Sequence, residues 1–276
     1  MARPLVIGAV MYDPKVSVIW EIIRDFFDQQ GCATDLRFYS TYEHQVTALV
    51  EGQIDIAWNS PLAWLDSQRR TGGSCRAIAM RDTDRDRVSF LVATVDGPVR
   101  TLADLAGRTL AAGATDSPQA NLIPLGVLRS AGLIPGKDVQ VRAFNVLVGK
   151  HGDHVGGELE AMQSLLRGES DAAALLDLNW NAWTKDGTID PATVRIVART
   201  PLFDHCVFTV RGDADPAILG GWTDALFSMR YDNPDHRKMM DLEGLTAWLP
   251  GRTTGFAPLA AAVAAEEFFE RRAPTT

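Results

Sequence analysis

Residues 54–65 of the chain read IDIAWNSPLAWL, which is an apolar run, a polar break and a second apolar run. The first run is typical of a short buried strand, because it is apolar and bounded by polar residues. Ser60 is a preferred helix N-cap residue, and Pro61 suits the first helical position, where its missing N–H costs nothing. The stretch therefore predicts a buried strand that passes into a helix through a short turn at Asn59 and Ser60.

The turn at Asn59 and Ser60 lies where α/β proteins commonly bind ligands. The first backbone N–H groups of a helix have no partner within the helix, and they point towards the end of the preceding strand. In open sheets, ligands bind outside the carboxyl ends of the strands. We therefore expect the side chains of Asn59 and Ser60 to contact a ligand.

Strands and helices alternate on both sides of this stretch. Before it, the spacing of apolar residues predicts strands over residues 5–11 and 34–39 and helices over 16–30 and 43–51. The same alternation continues through the second third of the chain, and the C-terminal part is mostly helical. This order predicts an α/β protein in which mostly parallel sheets are flanked by helices.

The chain of 276 residues is long enough for two lobes with separate cores. We predict that lobe I contains residues 1–94 and 209–276, and that lobe II, residues 95–208, is inserted into it. The chain would then cross between the lobes near residues 92–95 and 208–211.

Composition and charge exclude several kinds of partner. The formal net charge of −8 argues against nucleic acid and anionic membranes, because both demand clustered Lys and Arg. The chain has 3 cysteines at wide spacing, which predicts neither a disulfide framework nor a metal site.

The N-terminal residues predict a strand that already belongs to the fold. They have no basic segment followed by a long apolar segment, as a secretory leader would. We expect a cytoplasmic protein if this N-terminus is native, and a periplasmic one if a leader was removed. No stretch approaches the ~18 apolar residues of a membrane-spanning helix, so we expect no membrane insertion.

Three segments resemble one known family in order and spacing. They are EGQIDIAWNSPLAWL (51–65), TLADLAGRTLAAGATDSPQANLIPLGVLRSAGL (101–133) and VGGELEAMQSLLRGESDAAALLD (155–177). The chain resembles the type II periplasmic-binding-protein fold, and most closely its phosphate/phosphonate-binding branch, the substrate-binding components of ABC importers. The resemblance implies two lobes that close around a small ligand by a hinge, an ABC permease as partner and no cofactor.

The resemblance also implies particular ligand residues. The tyrosine that the family places at the start of the second helix is matched by Tyr42, and Asn59-Ser60 stand where phosphonate binders place a tyrosine or a small polar residue. The Ser/Thr-rich anion loop of the family corresponds to Thr115, Asp116, Ser117, Pro118 and Gln119. Where the family usually has a histidine that contacts the anion, this chain has Glu158.

Three acids in this region affect the expected charge of the ligand. Asp116, Glu158 and Asp177 replace or join groups that should donate hydrogen bonds to a phosphonate. A carboxylate that faces a doubly charged phosphonate in a closed, dry cleft is repulsive. We therefore expect a neutral or cationic ligand, or one whose acid group binds elsewhere.

Five aromatic residues are expected at or just beyond strand ends. Such rings could hold a protonated or quaternary amine by cation–π contact, and the alternative is that they pack in the core or at the lobe interface. They are Tyr12, Tyr42, Trp58, Trp180 and Trp183.

An enzyme on the same scaffold is the alternative function. The chorismate dehydratase of the menaquinone pathway resembles these binding proteins and works with a cleft carboxylate and no cofactor. A lyase, dehydratase or decarboxylase reaction could then use Glu158 as general base, if burial and like charges raise its pKa. Glu158 could instead be a first-turn acid that complements the helix dipole. An intracellular sensor domain is a third possibility.

Two further clusters contain metal-binding or nucleophilic residues. His151, Asp153, His154 and Glu158 lie among glycines, which favours a mobile polar loop over a metal site. His205 and Cys206 are adjacent, and on a strand such neighbours point to opposite faces. We therefore expect that these two side chains do not meet and that they form no catalytic pair.

Overall fold

The computed structural model describes residues 3–152 and 157–272. Strands and helices alternate through most of these ranges, as the sequence pattern predicts. The strands are β1 (Leu5–Val10), β2 (Thr34–Tyr39), β3 (Ile56–Asn59), β4 (Arg76–Arg81), β5 (Ser89–Thr94), β6 (Thr109–Ala112), β7 (Gln140–Ala143), β8 (Ala172–Leu176), β9 (Val194–Arg199), β10 (Val207–Val210) and β11 (Trp248–Pro250). The α-helices are α1 (Lys15–Gln29), α2 (Tyr42–Val50), α3 (Pro61–Arg70), α4 (Ile123–Ser130), α5 (Glu158–Leu166), α6 (Asp177–Asp186), α7 (Pro216–Phe227), α8 (Pro234–Glu243), α9 (Ala257–Ala265) and α10 (Phe268–Arg272).

The chain folds into two compact units, which divide after Arg85, after Phe203 and after Gly255. The first unit contains a six-stranded sheet with the order β11-β4-β10-β3-β1-β2. The second unit contains a five-stranded sheet with the order β7-β6-β8-β5-β9. Helices pack against both sheets, and the predicted α/β class is confirmed.

Each sheet is mixed, with a parallel part and an antiparallel part. In the first sheet β2, β1 and β3 are parallel, whereas β10 runs antiparallel between β3 and β4 and β11 is antiparallel to β4. In the second sheet β7, β6 and β8 are parallel, and β5 runs antiparallel between β8 and β9. The expected parallel direction is therefore reversed at β10 and β11 in the first sheet and at β5 in the second.

The unit boundaries differ from the predicted ones because of two strand pairings and one helix contact. The strand Ser89–Thr94 pairs with β8 and β9, so it belongs to the second unit and not to the first. Helix α9 packs against α4, and residues 256–272 belong to the second unit as well. An apolar strand pattern shows that a strand is buried, but it does not show which sheet contains it.

The stretch IDIAWNSPLAWL folds as predicted. Its strand β3 is buried at all four positions, and Trp58 packs against Phe208 with ring centroids 4.6 Å apart. The Ser60 Oγ accepts a hydrogen bond from the N–H of Ala63 at 3.1 Å and caps α3, and Pro61 is the first residue of that helix. Local rules for helix starts therefore fix the position of Asn59 and Ser60 in the first unit.

The helix that follows β6 begins with a wider turn. Residues Pro118–Leu122 form a π-helical turn, and α4 follows it directly. Pro124 has no N–H to donate to the carbonyl oxygen of Ala120, which instead accepts from the N–H of Gly113 at 3.0 Å. This contact ties the helix start to the end of β6.

Candidate functional site

The predicted site residues follow three neighbouring parallel strands in each unit. In the first unit Tyr12 follows β1, Tyr42 follows β2 and Asn59 ends β3, and these strands lie in the order β2-β1-β3. The carboxyl ends of parallel strands meet at one edge of a sheet, which is where α/β proteins bind ligands. The strand order therefore places Tyr12, Tyr42 and Asn59 at one edge of the first sheet.

The second unit has the same arrangement. The loop that contains Asp116 and Ser117 follows β6, Glu158 begins the helix that follows β7, and Asp177 follows β8. These three strands lie in the order β7-β6-β8. The acids that the sequence singled out therefore lie at the carboxyl edge of the second sheet.

Asn59 uses its side chain inside the first unit. Its Oδ1 accepts a hydrogen bond from Gln45 Nε2 at 2.9 Å, and its Nδ2 donates to Ser67 Oγ at 3.1 Å. Gln45 Nε2 also donates to the carbonyl oxygen of Trp58 at 2.8 Å. The three side chains are fully buried and tie β3 to α2 and α3. Asn59 is thus a positioning residue for the turn.

Replacing Asn59 by alanine should destabilise the protein by about 1–3 kcal/mol, because Gln45 and Ser67 would each lose a partner in a buried environment. Urea unfolding followed by circular dichroism measures this loss. The exposed Asn181 provides a matched control, since its replacement by alanine should leave the unfolding midpoint unchanged. Equal midpoints for Asn59→Ala and the unmodified protein would show that the network contributes nothing.

The other predicted residues of the first unit are mostly packing residues. Tyr42 is buried against Val10, Val46 and Ala63, and Tyr12 packs against the main hydrophobic core as a partly buried residue. Trp58 belongs to that core, and the guanidinium carbon of Arg81 lies 5.2 Å from its ring centroid. Trp58 therefore already has a cationic partner from its own unit.

In the second unit, residues 149–152 lie against Asp116, Ser117 and Gln119. The Oδ2 of Asp116 accepts from the N–H of Gly149 at 2.6 Å, and Gln119 Nε2 donates to the carbonyl oxygen of Gly152 at 3.3 Å. A Cβ at Gly152 would lie 2.7 Å from Ser117 Cβ, so only glycine allows this approach. Gly152 therefore packs directly against the helix start at Ser117.

One oxygen of Asp116 has no hydrogen bond to any residue in the ranges 3–152 and 157–272. The carboxyl is fully buried, and this oxygen is its Oδ1. Ser117 Oγ, by contrast, accepts from the N–H of Ala120 at 3.2 Å and caps the helix start.

Glu158 is fully buried and receives three hydrogen bonds. Its Oε2 accepts from the N–H of Leu176 at 2.8 Å and from Asn179 Nδ2 at 2.7 Å, and its Oε1 accepts from Gln119 Nε2 at 3.3 Å. Burial raises the pKa of the Glu158 carboxyl to about 7, and the three hydrogen bonds oppose this rise. The side chain joins α5 to β8, to α6 and to the Pro118 turn.

Asp177 forms an ion pair within the second unit. Its Oδ2 lies 3.4 Å from Arg87 Nη1, while burial raises the pKa of its carboxyl against the effect of that arginine. The negative charge of two of the three acids is therefore reduced. Asp177 faces the cation Arg87, and Glu158 is about half protonated at neutral pH.

Three predicted ligand residues of the second unit contact other parts of that unit. Thr115 is exposed, and its Oγ1 accepts from Arg272 Nη2 at 3.4 Å, beside the C-terminal helix. Trp183 is buried in the core of the unit, and Trp180 packs edge-on against Phe90 with ring centroids 6.0 Å apart. These two tryptophans therefore follow the packing alternative.

The prediction that His205 and Cys206 do not meet is wrong. The His205 Nδ1 lies 3.1 Å from Cys206 Sγ, and both side chains are buried. The strand begins only at Val207, so the alternation of faces along a strand does not apply to the two residues before it. Of the histidine-rich loop, Asp153 and His154 lie outside the described residues, and His151 lies in a turn and is buried.

The supporting residues Gln45, Ser67, Asn179 and Arg87 were not predicted from the sequence. Gln45 had a detectable signal, because it shares one face of α2 with the apolar Tyr42 and Leu49. A polar residue in a buried stripe usually has a hydrogen-bond partner. The other supporting residues had no comparable signal, since their partners are distant in sequence or irregularly spaced.

No helix within the described ranges combines the length and the apolar character needed to cross a membrane.

A family profile described as ABC transporter, phosphonate, periplasmic substrate-binding protein matches residues 12–254. Among curated sequences, an uncharacterized protein of Haemophilus influenzae is 55% identical over 31 residues, which are 11% of this chain. The chain spans 44% of the length of that relative.

Solved structures match over nearly the whole chain. The PhnD1 protein of Prochlorococcus marinus, in complex with methylphosphonate, gives a TM-score of 0.71 at 16% identity, with 95% of this chain and 98% of that chain covered. A Xanthomonas citri protein bound to ATP gives a TM-score of 0.73 at 19% identity over 99% of this chain and 100% of that chain. The aliphatic sulphonate binding protein SsuA of Escherichia coli gives a TM-score of 0.61 at 17% identity, with 100% of this chain and 95% of that chain covered. At identities this low, the structural similarity shows that these proteins share a fold and nothing more.

Proposed function

Because the chain belongs to the family of periplasmic substrate-binding proteins of phosphonate ABC transporters, we propose that it binds a small oxyanion of the phosphonate or sulfonate class. It would present this solute to an ABC permease from the periplasmic side of the membrane. The observation that carries the proposal is the family match over residues 12–254. The enzyme alternative receives no support from this match.

The charge distribution in the second unit is compatible with an anion. Asp177 is paired with Arg87, and the Glu158 carboxyl, with a pKa of about 7, carries only part of a negative charge at neutral pH. The three acids therefore do not favour a cationic ligand as strongly as their number suggests.

Helix α5 supplies a group of donors for an oxyanion. Its N-cap residue is Gly157, and within the part of the chain that the structure describes no side chain caps it, whereas serines cap α3 and the Pro118 turn. Uncapped N–H groups in the first turn of a helix attract anions. Glu158 is the first residue of that turn, so its ionisation would oppose the bound anion.

Anion affinity should consequently rise as the pH falls from 8 to 6, because Glu158 becomes neutral over this range. Methanesulfonate is the suitable probe, since it remains singly charged throughout. Isothermal titration calorimetry of the unmodified protein and of Glu158→Gln would measure the effect. The variant should bind with little dependence on pH, and identical pH profiles for the two proteins would exclude Glu158 from the anion site.

The class of ligand is tested by a thermal-shift panel of methylphosphonate, 2-aminoethylphosphonate, methanesulfonate, phosphate and choline. Oxyanions should raise the melting temperature and be recovered unchanged by mass spectrometry. Stabilisation by choline alone would instead favour the cationic ligand. A change in the mass of a stabilising compound would favour the enzyme.

A further inference from the structure

Three potential metal ligands converge in the first unit, after the end of β4 and before the start of β10, whose first residue Val207 pairs with Asn59 at the carboxyl end of β3. They are Asp84, His205 and Cys206, and one ligand atom from each lies within 4.8 Å of the other two. The His205 Nδ1 is 3.1 Å from Cys206 Sγ and 3.7 Å from Asp84 Oδ1. All three side chains are at most 3% exposed.

The spacing is close to that of a tetrahedral zinc centre. Bonds of about 2.0–2.3 Å from zinc to sulfur, nitrogen and oxygen place neighbouring ligand atoms about 3.3–3.6 Å apart. The distances of 3.1 and 3.7 Å fall on either side of this range, and the third pair of ligand atoms lies within 4.8 Å, so side-chain rotations would bring the three atoms to the spacing that zinc needs. The backbones of Asp84 and His205 are already held together, because the N–H of His205 donates to the carbonyl oxygen of Asp84 at 2.7 Å.

The surroundings of the cluster hold Asp84 in place and carry an excess of acid. Arg81 donates to Asp84 from Nε at 2.6 Å and from Nη2 at 2.9 Å, which leaves each carboxylate oxygen a second lone pair. Glu243 also pairs with Arg81, at 3.0 Å. Two carboxylates thus face one guanidinium, and a divalent cation bound to a thiolate would balance the charge of the group.

We propose that Asp84, His205 and Cys206 bind a zinc-type divalent metal ion that has a structural role. Thiolate, imidazole and carboxylate are together the ligands that zinc prefers, and a hard cation such as Mg²⁺ would not select the thiol. Asp84 directly precedes Arg85, where the first unit ends, and Cys206 directly precedes β10. The ion would cross-link these two segments of the first unit.

The test uses tag-free full-length protein that is treated with chelator, dialysed and then titrated with ZnCl₂ and CoCl₂. The proposal predicts one equivalent of tightly held metal, a rise in melting temperature of about 5 °C at saturation, and a thiolate-to-cobalt charge-transfer band. Because the ligands are buried, we also expect metal exchange to be slow.

Cys206→Ser should remove the charge-transfer band and weaken zinc binding by about tenfold or more. The matched control is Cys75→Ser, because Cys75 is also a buried thiol of the first unit and lies near Thr71 and Ser67. His205→Gln serves as a second variant if Cys206→Ser does not fold. The absence of a stoichiometric metal, a cobalt spectrum without the thiolate band, or equal effects of the Cys75 and Cys206 variants would overturn the proposal.

Discussion

Replacing Glu158 by glutamine should stabilise the protein above pH 7. In the folded protein burial raises the pKa of this carboxyl from 4.5 to about 7. At higher pH the ionised carboxylate remains buried, and its three hydrogen bonds compensate only partly for the lost hydration. Glutamine removes this charge and keeps a side chain of the same size.

The direction of the pH dependence follows from proton binding. Between pH 4.5 and 7 the folded state holds a proton that the unfolded state releases, so the contribution of Glu158 to stability is largest below pH 4.5. It is lost progressively as the pH rises through 7. A pKa difference of about 2.5 units corresponds to about 3 kcal/mol.

Urea unfolding at pH 5.5, 7.0 and 8.5 would measure this contribution. The stability advantage of Glu158→Gln over the unmodified protein should grow with pH. Glu169→Gln is the control, because Glu169 is an exposed acid of the same unit and its replacement should not change the slope. An advantage for Glu158→Gln that is constant with pH would contradict the buried, protonated carboxyl.

Replacing Arg81 by methionine should produce the largest loss of stability. The guanidinium is buried, and it pairs with Asp84 at 2.6 Å and Glu243 at 3.0 Å. It also donates to the carbonyl oxygen of Glu243 at 2.8 Å. Removing it leaves two buried carboxylates without their cation, which costs about 3–5 kcal/mol.

A second substitution separates lost charge from lost packing. Asp84→Asn added to Arg81→Met should recover part of the loss, because it removes one of the two uncompensated charges. Arg24→Met is the matched control, since Arg24 pairs with Asp25 in solvent. Equal unfolding midpoints for Arg81→Met and Arg24→Met would show that the buried pair is not stabilising.

Much of the local structure could be predicted because it depends on neighbouring residues. Ser60 and Pro61 together specify a helix start, and the strand before them is mostly apolar, so the strand-turn-helix unit was predicted correctly. The alternation of elements then placed the site residues at strand ends. These inferences need only the residues of one segment and the rules for helix caps.

The roles of individual side chains depended on residues elsewhere in the chain. Asn59 binds Gln45 and Ser67, and Glu158 binds Asn179 and Gln119, so both side chains act within their own unit. The meeting of His205 with Cys206 depended on where a strand begins, and boundaries are the least certain part of a sequence-based assignment.

Isothermal titration calorimetry with methylphosphonate, with choline as the comparison, tests the central claim most directly. The account predicts saturable binding of one methylphosphonate per chain, displaced by methanesulfonate, and no heat of binding with choline. Binding of choline without any binding of methylphosphonate or methanesulfonate would contradict it.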